Sequence, residues 1–317
     1  MSSRETVSVI IPCYNEAAYI ERAIRSALVQ TYPYREIVVI DDGSTDNSLE
    51  IIKRFDGEII WHSGPNRGGS AARNEGIRQS HGNFIQFLDA DDLLHPNKIE
   101  RQIEIASQVK EDIVFCDYDR ILVNGSRRSG SYLGPYGGGD IIPFMLRHQM
   151  QTSAPLHRRH WIEKIGGFNE SLPCAQEYDL NIRLACAGAT FYHLQEILFS
   201  LQRRSQSVSS NFQKVLDQYR VILQNAFEIL RENGNLTESR SRAFAETMAS
   251  AARHYIREKA TDKAKSYFEI AREMHPSGGL KAFSWPYRMG YYLVGPMFTE
   301  MLVDIKRYFR CKRKRNG

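Results

Sequence analysis

The sequence predicts an α/β fold, a mostly parallel sheet with flanking helices, followed by a helical C-terminal region. Three observations predict it. Short apolar runs (Val7 to Ile11, Ile37 to Ile40, Phe84 to Leu88, Ile113 to Cys116) alternate with helix-period stretches through the first half, as expected of βαβ units whose helices cover a buried sheet. Acidic residues follow two of these runs directly, Asp41-Asp42 after one and Asp89, Asp91 and Asp92 after another; such sheets bind ligands at the carboxyl ends of their strands. Beyond Ser210 the strand signals stop, and 212–275 reads as successive amphipathic helices.

Each element has its own warrant. Between Glu16 and Gln30 the apolar positions Ile20, Ala23, Ile24, Ala27 and Leu28 recur at three- and four-residue steps, which gives a helix one face to bury. After the strand at 37–40, the turn-rich DDGSTDNS leads to a helix at about 47–55, with Gly43 permitting a tight turn and Ser44 or Thr45 capping the helix. A third strand is expected at Glu58 to Trp61 and a helix at about 70–80. Pro96 suits the first turn of the next helix, where its missing N–H costs little. Asn124-Gly125 signals a hairpin turn after the strand at 113–116. Residues 131–140, SYLGPYGGGD, hold four glycines and a proline and read as a loop. The stretch from Trp161 to about Ala187 is again largely helical, broken at Gly166-Gly167.

Composition is that of an ordinary folded protein: 42% apolar and 25% charged residues in 317, enough for one large α/β domain and an appendage. The formal charge of +5 is a local property. The last twelve residues carry seven basic side chains, and the other 305 are at about −2. That distribution argues against a nucleic-acid partner. The five cysteines show no metal spacing and read as reduced thiols. The apolar run before Pro12 is too short for a signal-peptide core, so a cytoplasmic protein is expected.

The chemistry-bearing motif is FLDADD, Phe87 to Asp92, in which three carboxylates fall within four residues. Crowded carboxylates repel unless a cation neutralises them, and from an extended backbone Asp89 and Asp91 would point the same way. Mg²⁺ or Mn²⁺ fits that oxygen-rich setting, with substrate phosphate completing its shell. An acidic helix N-terminus is the competing reading. In Asp41-Asp42-Gly43-Ser44, capping accounts for the hydroxyls but not for two adjacent acids. One of them is available to accept hydrogen bonds from a base or ribose, and a plain turn is the alternative.

Taken in order, VSVIIPCYNE (7–16), VVIDDGSTD (38–46), NRGGSAARNEGI (66–77) with FLDADD (87–92), and GGFNESLPCAQEYDLNIRL (166–184) resemble the family 2 glycosyltransferases of GT-A fold over about residues 5–205. The resemblance implies a Rossmann-like GT-A domain and an inverting transfer from a nucleoside-diphosphate sugar, UDP by default, to a saccharide or glycolipid acceptor. It assigns Pro12, Tyr14 and Asp42 to the nucleotide base, Arg73 and Asp89 to the ribose and phosphates, and Asp91 to the metal. It also makes Glu177 the general base. Here the sequence departs from the family, which carries Asp where this chain reads Gln176-Glu177-Tyr178-Asp179. Asp179 is the fallback base, or else a partner for Arg183 one turn on. A second departure is Ser205, where relatives carry a His near the metal and phosphates; Arg203 or Arg204 is left to meet the diphosphate.

The expected organisation is a catalytic domain over 1–208, a helical region over 209–280 and an amphipathic, basic tail over 281–317. GYYLVGPMF (290–298) and KRYFRCKRKR would suit peripheral contact with the inner face of a cell membrane, and surface polysaccharide or glycolipid synthesis is the implied setting. Two other readings remain. One is a non-catalytic nucleotide-sugar-binding or scaffold protein, favoured by Glu177 and the absent His. The other is a nucleotidyltransferase, which the chain's lack of a GxxxxGK loop opposes.

Overall fold

The computed structural model describes residues 5–130, 134–204 and 212–280, with 283, 287 and 288. The chain divides into two compact units, Met1–Gln218 and Tyr219–Gly317.

The first unit is built on β1 (Val7–Cys13), β2 (Arg35–Asp41), β3 (Ile60–Ser63), β4 (Phe84–Phe87), β5 (Leu93–Leu94), β6 (Ile113–Ile121), β7 (Arg127–Arg128), β8 (Pro155–Arg158) and β9 (Phe191–Gln202). They form one sheet in the order β3-β2-β1-β4-β8-β6-β9-β5, with β7 on β6. The half containing β3, β2, β1 and β4 is parallel throughout. Antiparallel β8 joins it to the parallel pair β6 and β9. Helices α1 (Ile20–Leu28), α2 (Ser48–Lys53), α3 (Gly69–Gln79), α4 (Lys98–Gln108), α5 (Ile141–Met145), α6 (Arg159–Lys164) and α7 (Gln176–Cys186) supply the crossovers and cover. The fold is the α/β architecture that the sequence predicts.

Close approach fixes the centre of this unit. A Cβ at Gly76 would lie 2.2 Å from Ile10 Cγ2, so only glycine lets α3 lie directly on β1. The four described cysteines of the unit are buried, and none forms a disulfide among the described residues.

Several local expectations are corrected. Helix α1 begins at Ile20 rather than Glu16, because Asn15 takes a left-handed backbone (φ 55) and the N–H groups of Glu16 and Ala17 donate to Ser48 Oγ and Asp46 Oδ2. Ser44 and Thr45 do not cap α2: Ser44 Oγ accepts from Asn15 N–H and Thr45 N–H donates to Asn15 Oδ1. Pro96 precedes the Asn97 N-cap of α4 rather than lying in its first turn. Gly43 does make the expected turn, at φ +76, and a Cβ there would meet Asn66 N at 2.7 Å. The Asn124-Gly125 turn joins antiparallel β6 and β7.

The boundary between the units falls inside α8 (Phe212–Glu232). In the second unit, α9 (Glu238–Arg257) and α10 (Thr261–Met274) form a hairpin around Phe244, Tyr255, Tyr267 and Phe268, all buried. Thr237 caps α9 by accepting from Arg240 N–H. Among the described residues, no helix is long and apolar enough to cross a membrane. Ser205, Cys311 and most of the 281–317 tail lie outside the described residues.

Candidate active site

The carboxyl ends of β1, β2 and β4, helix α3 and the N-terminus of α7 carry the site residues singled out by sequence. β1 ends in a loop that leaves Tyr14 46% exposed, beside partly exposed Pro12. Asp42 follows β2 and is buried. Its Oδ1 accepts from Arg67 N–H and its Oδ2 from Gly68 N–H, both at 2.8 Å. The carboxylate thereby fixes the loop that opens into α3, and each oxygen keeps one lone pair free. Neighbouring Asp41 accepts from Ser63 Oγ at 2.7 Å and stays inside the sheet.

After β4 the chain does not continue extended. Asp92 N–H donates to the Asp89 carbonyl at 3.0 Å, so residues 89–92 form a turn and the expected strand-like alternation of Asp89 and Asp91 does not hold. The turn sends the three acids in different directions. Asp89 Oδ1 accepts from Arg73 Nη2 at 2.6 Å. Asp91 Oδ2 lies 2.7 Å from Arg204 Nε. Asp92 is buried, accepting from Ser153 Oγ at 2.8 Å and Gln202 N–H at 3.1 Å, which makes it a structural acid. Burial, then the charges of Asp89 and Asp91, raise the Asp92 carboxyl well above the usual carboxylate range. Burial and the Asp89 charge also push Asp91 up to about 6, against the downward pull of Arg204.

Arg73 bridges the turn after β4 and the start of α7. From α3 its Nη1 donates to Gln176 Oε1 at 2.9 Å, its guanidinium stacks 5.3 Å above the Phe168 ring, and Asp89 takes its other arm. Gln176 opens α7, and Glu177 is next. The left-handed N-cap Ala175 (φ 60) turns the chain into this helix. Glu177 is half-buried and accepts from Gln149 Nε2 at 3.1 Å. Burial raises its carboxyl above the ordinary Glu value, with Arg73 and Gln149 opposing the shift. Asp179 is held differently. It is buried, and Arg183 Nε donates to it at 2.7 Å while the other guanidinium arms donate to the Ile165 and Gly167 carbonyls. That network locks α7 onto the preceding turn and leaves Glu177, partly exposed, as the carboxylate of α7 not tied to an arginine.

Sequence reasoning missed Glu16, Gln149 and Ser153. Glu16 closes the first motif, and Arg204 Nη2 donates to its Oε2 at 2.5 Å; the guanidinium also lies 4.7 Å over the Tyr19 ring. Gln149 had no sequence signal, since its place beside Glu177 depends on the path of the chain between α5 and β8. Arg203 is exposed, and its backbone N–H donates to the Ile121 carbonyl.

The carboxyl ends of parallel strands, an acidic turn and a half-buried carboxylate across an arginine bridge mark a candidate ligand-binding and catalytic site of an α/β protein. Residues 8–165 match the family model for glycosyl transferase family 2. An uncharacterized glycosyltransferase of Rickettsia typhi is 33% identical over 68% of this chain and 70% of its own length. The chondroitin synthase of Pasteurella multocida is 30% identical over 76% of this chain, which spans only 26% of that protein. Among solved structures, TarS of S. aureus in complex with UDP-GlcNAc superposes with a TM-score of 0.71 at 19% identity, covering 93% of this chain and 89% of that one. The mannosyltransferase PcManGT of Pyrobaculum calidifontis, in complex with GDP-Man and Mn²⁺, gives 0.57 at 17% identity, over 96% and 88%. The chain belongs to glycosyl transferase family 2 and is a glycosyltransferase of GT-A fold.

Proposed function

We propose that this enzyme moves a sugar from a nucleoside-diphosphate donor, UDP by default, to an acceptor hydroxyl with inversion at the anomeric carbon, in the synthesis of a cell-surface polysaccharide or glycolipid. The carrying observation is the continuous network Asp89–Arg73–Gln176, which joins the acidic turn after β4 to the helix start that bears Glu177. Donor-side acids and acceptor-side base thus share one rigid frame. Relatives named as chondroitin and hyaluronan synthases and structural neighbours holding UDP-GlcNAc or GDP-Man support this class of substrate.

On this reading, Tyr14 and Pro12 face the nucleotide base and Asp42 offers it the remaining lone pairs of its carboxylate. Arg73 and Asp89 border the ribose and phosphates. Glu177 takes the proton of the acceptor hydroxyl as that oxygen attacks the anomeric carbon. A carboxyl raised by burial is a stronger base once ionised, and the Gln149 hydrogen bond orients it.

The residues fit a divalent ion. Among the described residues, the carboxylates of Asp89, Asp91 and Glu16 are paired with two guanidinium groups, those of Arg73 and Arg204. An arriving diphosphate adds further negative charge. Among the described residues no three acidic, His or Cys side chains are grouped to hold a metal alone, so Mg²⁺ or Mn²⁺ would sit on Asp91 and draw its other ligands from phosphate and water. When bound, the ion supplies charge to offset that of the departing diphosphate.

The test is stereochemical. Proton NMR of the product formed from an α-linked donor should show a β linkage. An α-linked product would overturn the single displacement and the role given to Glu177. The cytoplasmic setting and membrane contact through the tail belong to the same proposal; donor turnover with and without anionic vesicles tests the contact.

A further inference from the structure

We propose that Arg204 is the exchangeable cation of the diphosphate site: it neutralises Asp91 in the resting enzyme, and it passes to the donor's phosphates when a divalent ion takes Asp91. This deepens the transferase reading and rests on it.

Three features of Arg204 carry the inference. Its Nε is 2.7 Å from Asp91 Oδ2, yet that buried N–H makes no aligned hydrogen bond, so the contact is charge attraction without the directional bond that would lock it. Its Nη2 is bound separately to Glu16 Oε2 at 2.5 Å, and its planar face lies on Tyr19. The side chain is therefore anchored at two points that do not involve Asp91. It can release Asp91 and stay in the site.

Charge makes the release necessary. A divalent ion on Asp91 places two positive charges beside a guanidinium that already spans Asp91 and Glu16. The donor's phosphate oxygens would then offer the displaced guanidinium an anion of matching geometry next to the carboxylate it leaves. In exchange, neither cation is left unpaired. Two consequences follow. Metal binding to the donor-free enzyme is weak, because the ion must displace Arg204. Diphosphate binding without metal is appreciable, because Arg204 supplies a cation of its own. Each ligand strengthens the other by the same factor.

The test uses two probes that need no knowledge of the base or sugar. Mn²⁺ alone is titrated into the full-length protein and followed by loss of its free-ion EPR signal. Inorganic pyrophosphate is titrated in the presence of EDTA and followed by calorimetry. Arg204→Gln should bind Mn²⁺ about tenfold more tightly than wild type and pyrophosphate about tenfold more weakly, the scale of one charge-assisted contact. Opposite signs are the signature: a merely structural role for Arg204 would weaken both. Arg204→Lys, which keeps the charge, should stay within about threefold of wild type in both titrations. Weaker or unchanged Mn²⁺ binding in Arg204→Gln, or unchanged pyrophosphate binding, overturns the exchange, as does a Lys variant that behaves like Gln. The paired shifts without sugar transfer from any donor would retain the exchange and remove the transferase mechanism; transfer without the shifts would remove the exchange alone.

Discussion

Replacing Glu177 by Gln removes the proposed base while preserving nearly everything around it. The amide has the same length, and its oxygen can still accept from Gln149 Nε2, which stands at 3.1 Å from the carboxylate. The Arg73 bridge to Gln176 and Asp89 is untouched. What disappears is the capacity to take a proton, worth about 10²- to 10⁴-fold in rate, or about 3–5 kcal/mol of barrier. Glu177→Asp keeps the chemistry but withdraws the carboxylate by about 1 Å, which costs about 10²-fold. The assay is release of nucleoside diphosphate at saturating donor and acceptor, across pH. Burial raises the carboxyl above 4.5, so wild-type activity should rise with pH through that elevated value, and the acidic limb should vanish in Glu177→Gln. Linkage has the opposite sign. A carboxyl whose pKa is higher in the folded than in the unfolded chain loses stability as pH rises past the unfolded value, so the Gln variant should melt no lower than wild type at pH 8. Turnover within threefold of wild type, or loss of the acidic limb only in Asp179→Asn, would refute the assignment.

Other substitutions separate scaffold from chemistry. Asp179→Asn, which weakens the buried pair with Arg183, should cost about 1–3 kcal/mol, seen as a lower denaturation midpoint with the pH profile of the remaining activity unchanged. Gly76→Ala forces a methyl into Ile10 and should cost about 1–3 kcal/mol by overpacking, again read by chemical denaturation. Arg73→Met removes the hydrogen bonds to Gln176 and Asp89; donor KM should rise about tenfold or more, and an unchanged KM would take Arg73 out of the proposed donor site.

The parallel half of the fold was legible because buried strands and one-sided helices leave opposite periodicities, as β1 and α1 do. What escaped depends on partners far away in sequence. β5 is two residues long and exists because Leu93 and Leu94 pair with Ser200 and Phe199. β8 contains a proline, a buried histidine and one charged residue, Arg158, and is a strand only because β4 and β6 flank it. The acidic motifs were legible as candidate ligand sites, but not their geometry. The turn at 89–92 sends Asp92 inward to Ser153, a division of labour that three acids within four residues cannot announce. The Arg73–Gln176 bond joins residues 103 apart, and Arg203 or Arg204 could be expected to meet the diphosphate, but not the pairing of Arg204 with Asp91 and Glu16.

The central claim is that a divalent ion on Asp91 holds the donor's diphosphate. Calorimetric titration with the nucleoside diphosphate that stabilises the protein best, in Mn²⁺ and in EDTA, tests it most directly for wild type and Asp91→Ala. The account predicts binding at least tenfold tighter in Mn²⁺ for wild type, with that advantage lost in Asp91→Ala. Equal affinity in metal and chelator, together with undiminished turnover of Asp91→Ala, would contradict it.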